Sequence, residues 1–199
     1  TPSTGDEQLQ HAAAREARLC RVREGGCIEY DPEQVLYSSS TTLVFCGRFE
    51  GRPAVIKRLM ANAVSSVERQ LLLELTTHAN VVRLFGSEES GGWWYVALEP
   101  CLDRDAAAPE ATVPLPRTLE HVVVQEGLRD VGHLRSIMQE MASGLAYLHG
   151  NRDMAERGLT HRDLKPQNVL VKRLRGAGGA AGGHHAKLAD YGSAEVHER

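Results

Sequence analysis

No stretch of this chain approaches the roughly 20 consecutive apolar residues that a helix needs to cross a bilayer. No short apolar segment with a basic flank opens it as a secretory leader would. Its four cysteines, Cys20, Cys27, Cys46 and Cys101, lack the pair spacing that metal sites use. Four in 199 residues is also too sparse for a disulfide framework, so reduced thiols in a cytosolic domain are expected. Charge of one sign is missing too. With 23 basic and 26 acidic side chains the net charge is -3, which gives no global reason to expect nucleic acid or an anionic membrane as partner. What is present is ordinary for a globular protein: 42% hydrophobic and 25% charged residues, in a length that accommodates one or two domains. The first residue is Thr1 rather than Met, so a fragment or processed product is expected.

Residues 1 to about 25 are polar and alanine-rich, with Leu9, Ala12, Ala13, Ala17 and Cys20 at helical spacing until Gly25-Gly26 stops the pattern. This predicts a lead-in helix or linker over 1–26. From Cys27 the period changes. Short strands are predicted at Cys27–Tyr30 and Val35–Tyr37, then strands at Thr42–Phe49 and Pro53–Arg58 with a hairpin turn at Glu50-Gly51-Arg52. Ser65–Leu75 reads as a helix, with Val67, Leu71, Leu72 and Leu75 on one face and Glu68 off its centre. Strands follow at Val81–Phe85 and Trp93–Leu98, separated by the turn-rich Gly86–Gly92. Residues 103–116 read as a loop or insertion, and Leu119, Val122 and Val123 as a short helix. The strongest stripe is Leu134, Ile137, Met138, Met141, Leu145 and Leu148. Arg175–Gly183 is nearly all Gly and Ala and predicts a flexible excursion, and His184-His185, next to it, is a solvated pair rather than a metal site. Lys187-Leu188-Ala189 predicts a short strand. Strands first and helices later indicate an α+β fold of two lobes.

One string carries most of the chemistry: His161-Arg162-Asp163-Leu164-Lys165-Pro166-Gln167-Asn168, running into the apolar Val169-Leu170-Val171. Asp163 is placed to orient a substrate hydroxyl and accept its proton, and Lys165 to neutralise charge on a moving phosphoryl group. Asn168 offers a carboxamide oxygen, a hard ligand suited to Mg²⁺. Asp190, 22 residues further on in Asp190-Tyr191-Gly192, would bridge metal to phosphate. An isolated His-Arg-Asp is more simply a turn with a capping aspartate; the whole string followed by Asp-Tyr-Gly is not. Lys57, at the end of an apolar strand, is by itself a solvated strand-end lysine. Glu68 offers it a partner, at about 4 kcal/mol of raw attraction for an effective dielectric near 20. Desolvation offsets much of that, so the pair serves positioning rather than stability.

Together these pieces resemble the eukaryotic protein kinase family over about residues 27–199, and Lys165-Pro166 resembles its serine/threonine branch. Ile28–Pro32, Val67–Leu73, His78–Phe85 and Tyr95–Cys101 resemble, within that family, the endoplasmic-reticulum stress-sensor kinase/endoribonucleases of the inositol-requiring type. The resemblance implies a bilobal fold: a small lobe and hinge over 27–101, an antiparallel sheet with one helix, and a truncated, mostly helical large lobe over 102–199. It implies ATP and Mg²⁺ as cofactors and transfer of the γ-phosphoryl group to a protein hydroxyl. Leu98 takes the gatekeeper position, and the Glu99 and Cys101 backbones hydrogen-bond adenine. Leu43 and Val55 roof the ring and Leu170 floors it, with Leu36, Lys57 and Glu68 completing the ATP-binding set. Asp163, Lys165 and Asn168 are the implied catalytic residues, and Asn168 and Asp190 the metal ligands.

Three departures are visible. Where the family has three glycines this chain has Leu36, Ser38 and Thr41, and β-branched Thr41 resists the positive φ that glycine allows. Tyr191 replaces the usual phenylalanine. The chain ends at Arg199, before the activation-loop end and the Ala-Pro-Glu motif, which predicts a marginally folded chain of little activity. The implied partners are a protein substrate, another copy of the chain included, and a homodimer, with no direct nucleic-acid or membrane contact from this segment. A cytoplasmic location is expected, on the cytosolic side of the endoplasmic reticulum in a stress-sensor parent. The alternative function is a nucleotide-binding pseudokinase or scaffold acting through conformation or dimerisation.

Overall fold

The computed structural model describes residues 19–63, 78–101, 117–150, 157–175, 181–190 and 195–198. The chain divides into two compact units, Thr1–Ala61 with Phe85–Leu98, and Asn62–Leu84 with Glu99–Arg199.

Apolar residues recurring at every second position build the first unit. β1 (Cys20–Arg21), β2 (Ile28–Ser38), β3 (Thr42–Phe49), β4 (Arg52–Met60), β5 (Leu84–Ser90) and β6 (Trp93–Leu98) form one sheet in the order β1-β2-β3-β4-β6-β5. β3 and β4 pair without a break from Thr42↔Leu59 to Phe49↔Arg52. The hairpin between them turns through Glu50 and Gly51, at φ 50° and 75°, the left-handed pair that matches the twist of antiparallel strands. Directly opposed residues share a face. Phe45, Ile56 and Ala97 therefore meet on one side, where they form a buried cluster with Val22, Ile28, Ala54 and Tyr95. Ile28 and Ile56 are fully buried, and each such side chain contributes about 1.5–3 kcal/mol.

Several expectations change in this unit. The two short strands at Cys27–Tyr30 and Val35–Tyr37 are one strand, β2, whose register shifts between Tyr30 and Val35 and again before Tyr37. The extra residues of such bulges hide the period from the sequence. Cys20, read as the last turn of a lead-in helix, lies in β1 opposite Tyr30. The return is anchored by the buried Glu88, whose Oε1 accepts from the N–H groups of Cys27 at 2.5 Å and Ile28 at 3.3 Å. The remainder of that helix, the helix over Ser65–Leu75 and the 103–116 loop lie outside the described residues. The strand read as Val81–Phe85 begins at Leu84 and continues through Gly86 to Ser90. The turn is Gly91-Gly92, where both residues have positive φ. Val81 and Val82 are withheld from β5 because their backbone partner is Leu188, in the second unit.

That unit contains α1 (Leu119–Val124), α2 (Val131–Gly150), β7 (Arg157–Thr160), β8 (Val169–Arg175), β9 (Ala181–Leu188) and β10 (Glu195–Glu198). Thr118 caps α1 by accepting from His121 N at 3.1 Å, and Asp130 accepts from His133 N at 2.7 Å at the start of α2. Of the six-residue stripe on α2, Ile137 and Leu148 are fully buried and Met141 and Leu145 pack against the same cluster. Met138 is 59% exposed. At 3.6 residues per turn it points about 60° away from the mean direction of the other five, enough to leave the covered face. The cluster is completed by Val81, Val122, Leu159, Val169, Val171, Ala186 and Leu188.

The Gly/Ala-rich excursion is also revised. β9 starts at Ala181 and pairs with β8 from Arg175↔Ala181 to Val169↔Leu188, so only 176–180 of that segment lie outside the described residues. The seven-residue strand β8 needs a partner for its backbone groups, and small residues do not prevent it. His185 is consequently not a loop residue: its Nε2 donates to Ala79 O at 3.0 Å and its Nδ1 lies 3.4 Å from Glu140 Oε1. Among the described residues no cluster of three or more His, Cys, Asp or Glu could hold a metal ion, and no helix is long and apolar enough to cross a membrane.

Candidate active site

The string from His161 to Asn168 forms the connection from β7 to β8. Asp163 N donates to His161 O at 2.9 Å, which turns the chain. Pro166 then opens a single 3₁₀ turn, Pro166–Asn168, closed by Asn168 N on Lys165 O at 2.9 Å. That fold-back brings three of the expected site residues together. Lys165 Nζ donates to Asp163 Oδ2 at 2.7 Å. Asn168 Nδ2 donates to the same oxygen at 2.9 Å and to Asp163 O at 2.8 Å. Asn168 is buried, Asp163 half-buried and Lys165 exposed. Donation by Lys165 is the largest influence on the Asp163 carboxyl. Together with the Asn168 amide it outweighs desolvation and holds the group below the usual carboxylate range. Both donors land on Oδ2, which leaves Oδ1 turned to other partners.

Asp190 is tied to this loop through its neighbour. Buried His161 donates from Nε2 to Ala189 O at 2.9 Å, and Ala189 N donates to Asn168 O at 2.9 Å. Arg162 and Asp190, on either side of that link, have φ of 63° and 62°. Left-handed backbone costs an L-residue about 1–2 kcal/mol, and local strain of this kind concentrates where a site over-determines its geometry. Tyr191 and Gly192 lie outside the described residues, as does Glu68.

The same unit holds a second group of expected residues. Glu99 N donates to Arg83 O at 2.8 Å. The Glu99 side chain turns back on the same residue, accepting from Arg83 N at 3.3 Å, and meets Lys187 Nζ at 3.0 Å. Cys101 is buried, and burial pushes its thiol up to about 11. Leu170, half-buried on β8, is opposite Lys187 on β9. The Glu99–Lys187 pair is absent from the expectations; the one sequence signal for it is a lysine in the apolar run Ala186–Ala189, three residues before Asp190.

In the first unit, the register Cys46↔Val55↔Leu98 and Val44↔Lys57↔Val96 puts Val55, Lys57 and Leu98 on one face with Val44. Leu43 is opposite Arg58 and packs into the buried cluster on the other face. The ladder therefore separates Leu43 from Val55 and brings Val44 beside it. A strand's two faces differ by one residue, and the bulge in β2 removes the reference from which that residue is counted. Leu36 lies within the bulge, half-buried. In the altered loop, Ser39 closes a tight turn: its N–H donates to Thr42 O at 2.9 Å, and its Oγ accepts from Thr42 N at 3.1 Å and Thr41 N at 3.4 Å.

Comparison with known proteins bears on the family. The protein kinase domain family matches residues 46–199. The chain is 34% identical over 149 residues to the serine/threonine-protein kinase/endoribonuclease IRE1 of Hypocrea jecorina, covering 73% of this chain and 11% of that protein. It is 33% identical over 150 residues to ire-1 of Caenorhabditis elegans, with 74% and 14% covered. It is 36% identical over 151 residues to IRE2 of Homo sapiens, with 73% and 14% covered. The chain thus spans only 11% to 14% of the length of these relatives. An α+β chain with an antiparallel sheet in one unit, the Asp163–Lys165–Asn168 loop in the other, and relatives that are serine/threonine kinases belongs to the protein kinase family.

Proposed function

We propose that the chain is the nucleotide-binding and catalytic part of a protein serine/threonine kinase that transfers the γ-phosphoryl group of ATP to a protein hydroxyl. The observation that carries this reading is the closed loop in which Lys165 and Asn168 share one oxygen of Asp163. Oδ1 of Asp163 is the oxygen offered to the substrate hydroxyl; it orients the O–H and accepts its proton as the oxygen attacks phosphorus. The depressed carboxyl keeps that acceptor ionised at neutral pH. Lys165 balances the negative charge that would otherwise accumulate beside it.

The donor set suits Mg²⁺, which favours hard oxygen ligands. Asn168 donates from Nδ2 to Asp163, which leaves its carboxamide oxygen as the atom that would ligate the ion, and Asp190 supplies a carboxylate from exposed, left-handed backbone. When bound, the ion neutralises phosphate charge. On the adenine side, Glu99 N–H is engaged by Arg83 O, so the Glu99 carbonyl accepts from the adenine amino group. The Cys101 backbone provides the second contact. Leu170 floors the ring, and Val44 with Val55 roofs it in place of Leu43; Leu98 is the gatekeeper and Lys57 the phosphate contact. By similarity to the kinase/endoribonucleases, the parent is an unfolded-protein-response sensor acting on protein substrates, its own copies included, as a homodimer on the cytosolic side of the endoplasmic reticulum membrane.

One observation favours a second reading, a pseudokinase or scaffold that binds nucleotide and signals by conformation or dimerisation. In the turn where kinases use glycines, the Thr41 and Thr42 N–H groups are directed at Ser39 Oγ, and donors used there are not presented to phosphates. Asp163→Asn separates the readings. For a kinase it abolishes autophosphorylation while nucleotide still raises the melting temperature in Mg²⁺. A nucleotide-dependent shift in the wild type without any turnover supports the scaffold, and unchanged turnover in Asp163→Asn removes the base assignment.

A further inference from the structure

Lys187 is charged, only 9% exposed, and set in a strand whose neighbours Ala186 and Leu188 belong to the hydrophobic cluster. Burying an ammonium is unfavourable unless it is paired, so its partner identifies its role. That partner is Glu99, at 3.0 Å. Glu99 is the residue whose carbonyl the nucleotide reading assigns to adenine, and it is bonded to one backbone unit, Arg83, through both its N–H and its carboxylate. Lys187 is also the residue directly across the ladder from Leu170, the proposed floor of the ring.

We infer that Lys187 is a positioning residue for the adenine subsite. By pulling the Glu99 carboxylate onto Arg83 N it fixes the peptide that follows, and with it the direction of the Glu99 carbonyl. β9 supplies the fixed end. Leu188 N donates to Asn80 O and Val82 N donates to Leu188 O, both at 2.9 Å, so the strand carrying Lys187 is locked to the segment leading into Arg83. The base-recognising carbonyl and the metal-side Asp190, three residues beyond Lys187, are thereby referred to one strand. Without the ammonium, the carboxylate keeps only a neutral N–H at 3.3 Å, moves towards water, and releases the peptide.

This inference rests on the proposed nucleotide site, and its test distinguishes the two. ADP and pyrophosphate binding to the full 199-residue chain are measured by calorimetry in Mg²⁺ for the wild type, Lys187→Met and Lys187→Arg. In Lys187→Met the Kd for ADP rises about tenfold, while pyrophosphate affinity is unchanged because the loss is confined to the base. Lys187→Arg, which keeps a cation within reach of Glu99, stays within about threefold of the wild type. Amide exchange at Glu99, whose N–H is held by Arg83 O, accelerates in Lys187→Met alone. If that variant fails to fold, Glu99→Gln, which preserves volume and removes the charge, gives a smaller rise of about threefold. A wild type that binds ADP with an affinity indifferent to these variants overturns the positioning role only. Equal losses for ADP and pyrophosphate show a structural role and overturn it as well. Failure of the wild type to bind ADP overturns the nucleotide reading, and this inference with it.

Discussion

Glycine 144 tests how tightly α2 is seated on β9. A Cβ added there would lie 2.7 Å from Asn80 O, 3.0 Å from Leu188 Cδ1 and 3.3 Å from Leu188 Cγ. The carbonyl cannot give way cheaply. Asn80 O already accepts from Leu188 N at 2.9 Å, and the Asn80 side chain donates to Ala186 O at 3.1 Å. Two effects oppose each other in Gly144→Ala. Alanine gains about 0.5–1 kcal/mol over glycine in a helix interior, whereas forcing an extra methyl into a packed interior costs about 1–3 kcal/mol. Overpacking wins, and the net loss is about 1–2 kcal/mol, a fall in melting temperature of about 2–8 °C for a chain of this size. Gly150 is the internal control: it is the last residue of α2 and a Cβ there meets nothing within 4 Å. Gly150→Ala is therefore neutral or slightly stabilising. Both variants are followed by thermal and urea denaturation, with amide exchange at Leu188 reporting the strained bond. Gly144→Ala melting at or above the wild-type temperature would refute the close approach of α2 to Asn80 and Leu188.

Other consequences follow from single contacts. Because Lys165 is the main cause of the lowered Asp163 carboxyl, Lys165→Met raises its midpoint towards the ordinary carboxylate value, seen by carboxyl NMR titration; an unmoved midpoint counts against the pair. The stabilisation of the ionised form is present above the unfolded-state carboxylate pKa and is lost as pH falls through the depressed folded value. The pair is solvent-exposed, so global stability changes little. With its thiol pushed up to about 11, Cys101 resists iodoacetamide at pH 8 until the chain unfolds, while the exposed Cys20 and Cys27 react; early labelling of Cys101, found by peptide mapping, contradicts its burial. Val44→Ala weakens ADP binding several-fold with a small effect on stability, whereas Leu43→Ala, at a partly buried position, destabilises by about 2–3 kcal/mol and spares ADP binding. The reverse pattern, from calorimetry and melting curves, would show that β3 pairs one residue out of register.

Much of the site is legible without coordinates because it is contiguous. Asp163, Lys165 and Asn168 are near in sequence, and Pro166 with the following strand constrains how the chain turns, so their meeting follows from local geometry. Uninterrupted strands are legible for the same reason: Thr42–Phe49 and Trp93–Leu98 have the bounds their alternation indicates. Reading fails where the partner is distant or the period slips. The bulge in β2 merges two expected strands, and only the β3–β4 register shows that Val44, not Leu43, shares a face with Val55. Val81 and Val82 carry the apolar signature of a strand, but Val81 bridges to Leu188 and Val82 N donates to Leu188 O. Ala181–Gly183, which composition assigns to a loop, completes a ladder because β8 offers one.

The amino-acid order by itself determines which groups are available and the chemistry they permit: a carboxylate, an ammonium and a carboxamide within six residues, and a second carboxylate 22 residues later. The tertiary structure decides which of these groups act on one another. Nothing local to Lys187 announces Glu99, 88 residues away in the chain, and nothing local to Gly144 announces Asn80 O. Such pairs arise because buried charges and backbone groups must find partners somewhere in the folded chain. Where that partner lies is set by which strands and helices pack together, a property of the whole chain rather than of any segment.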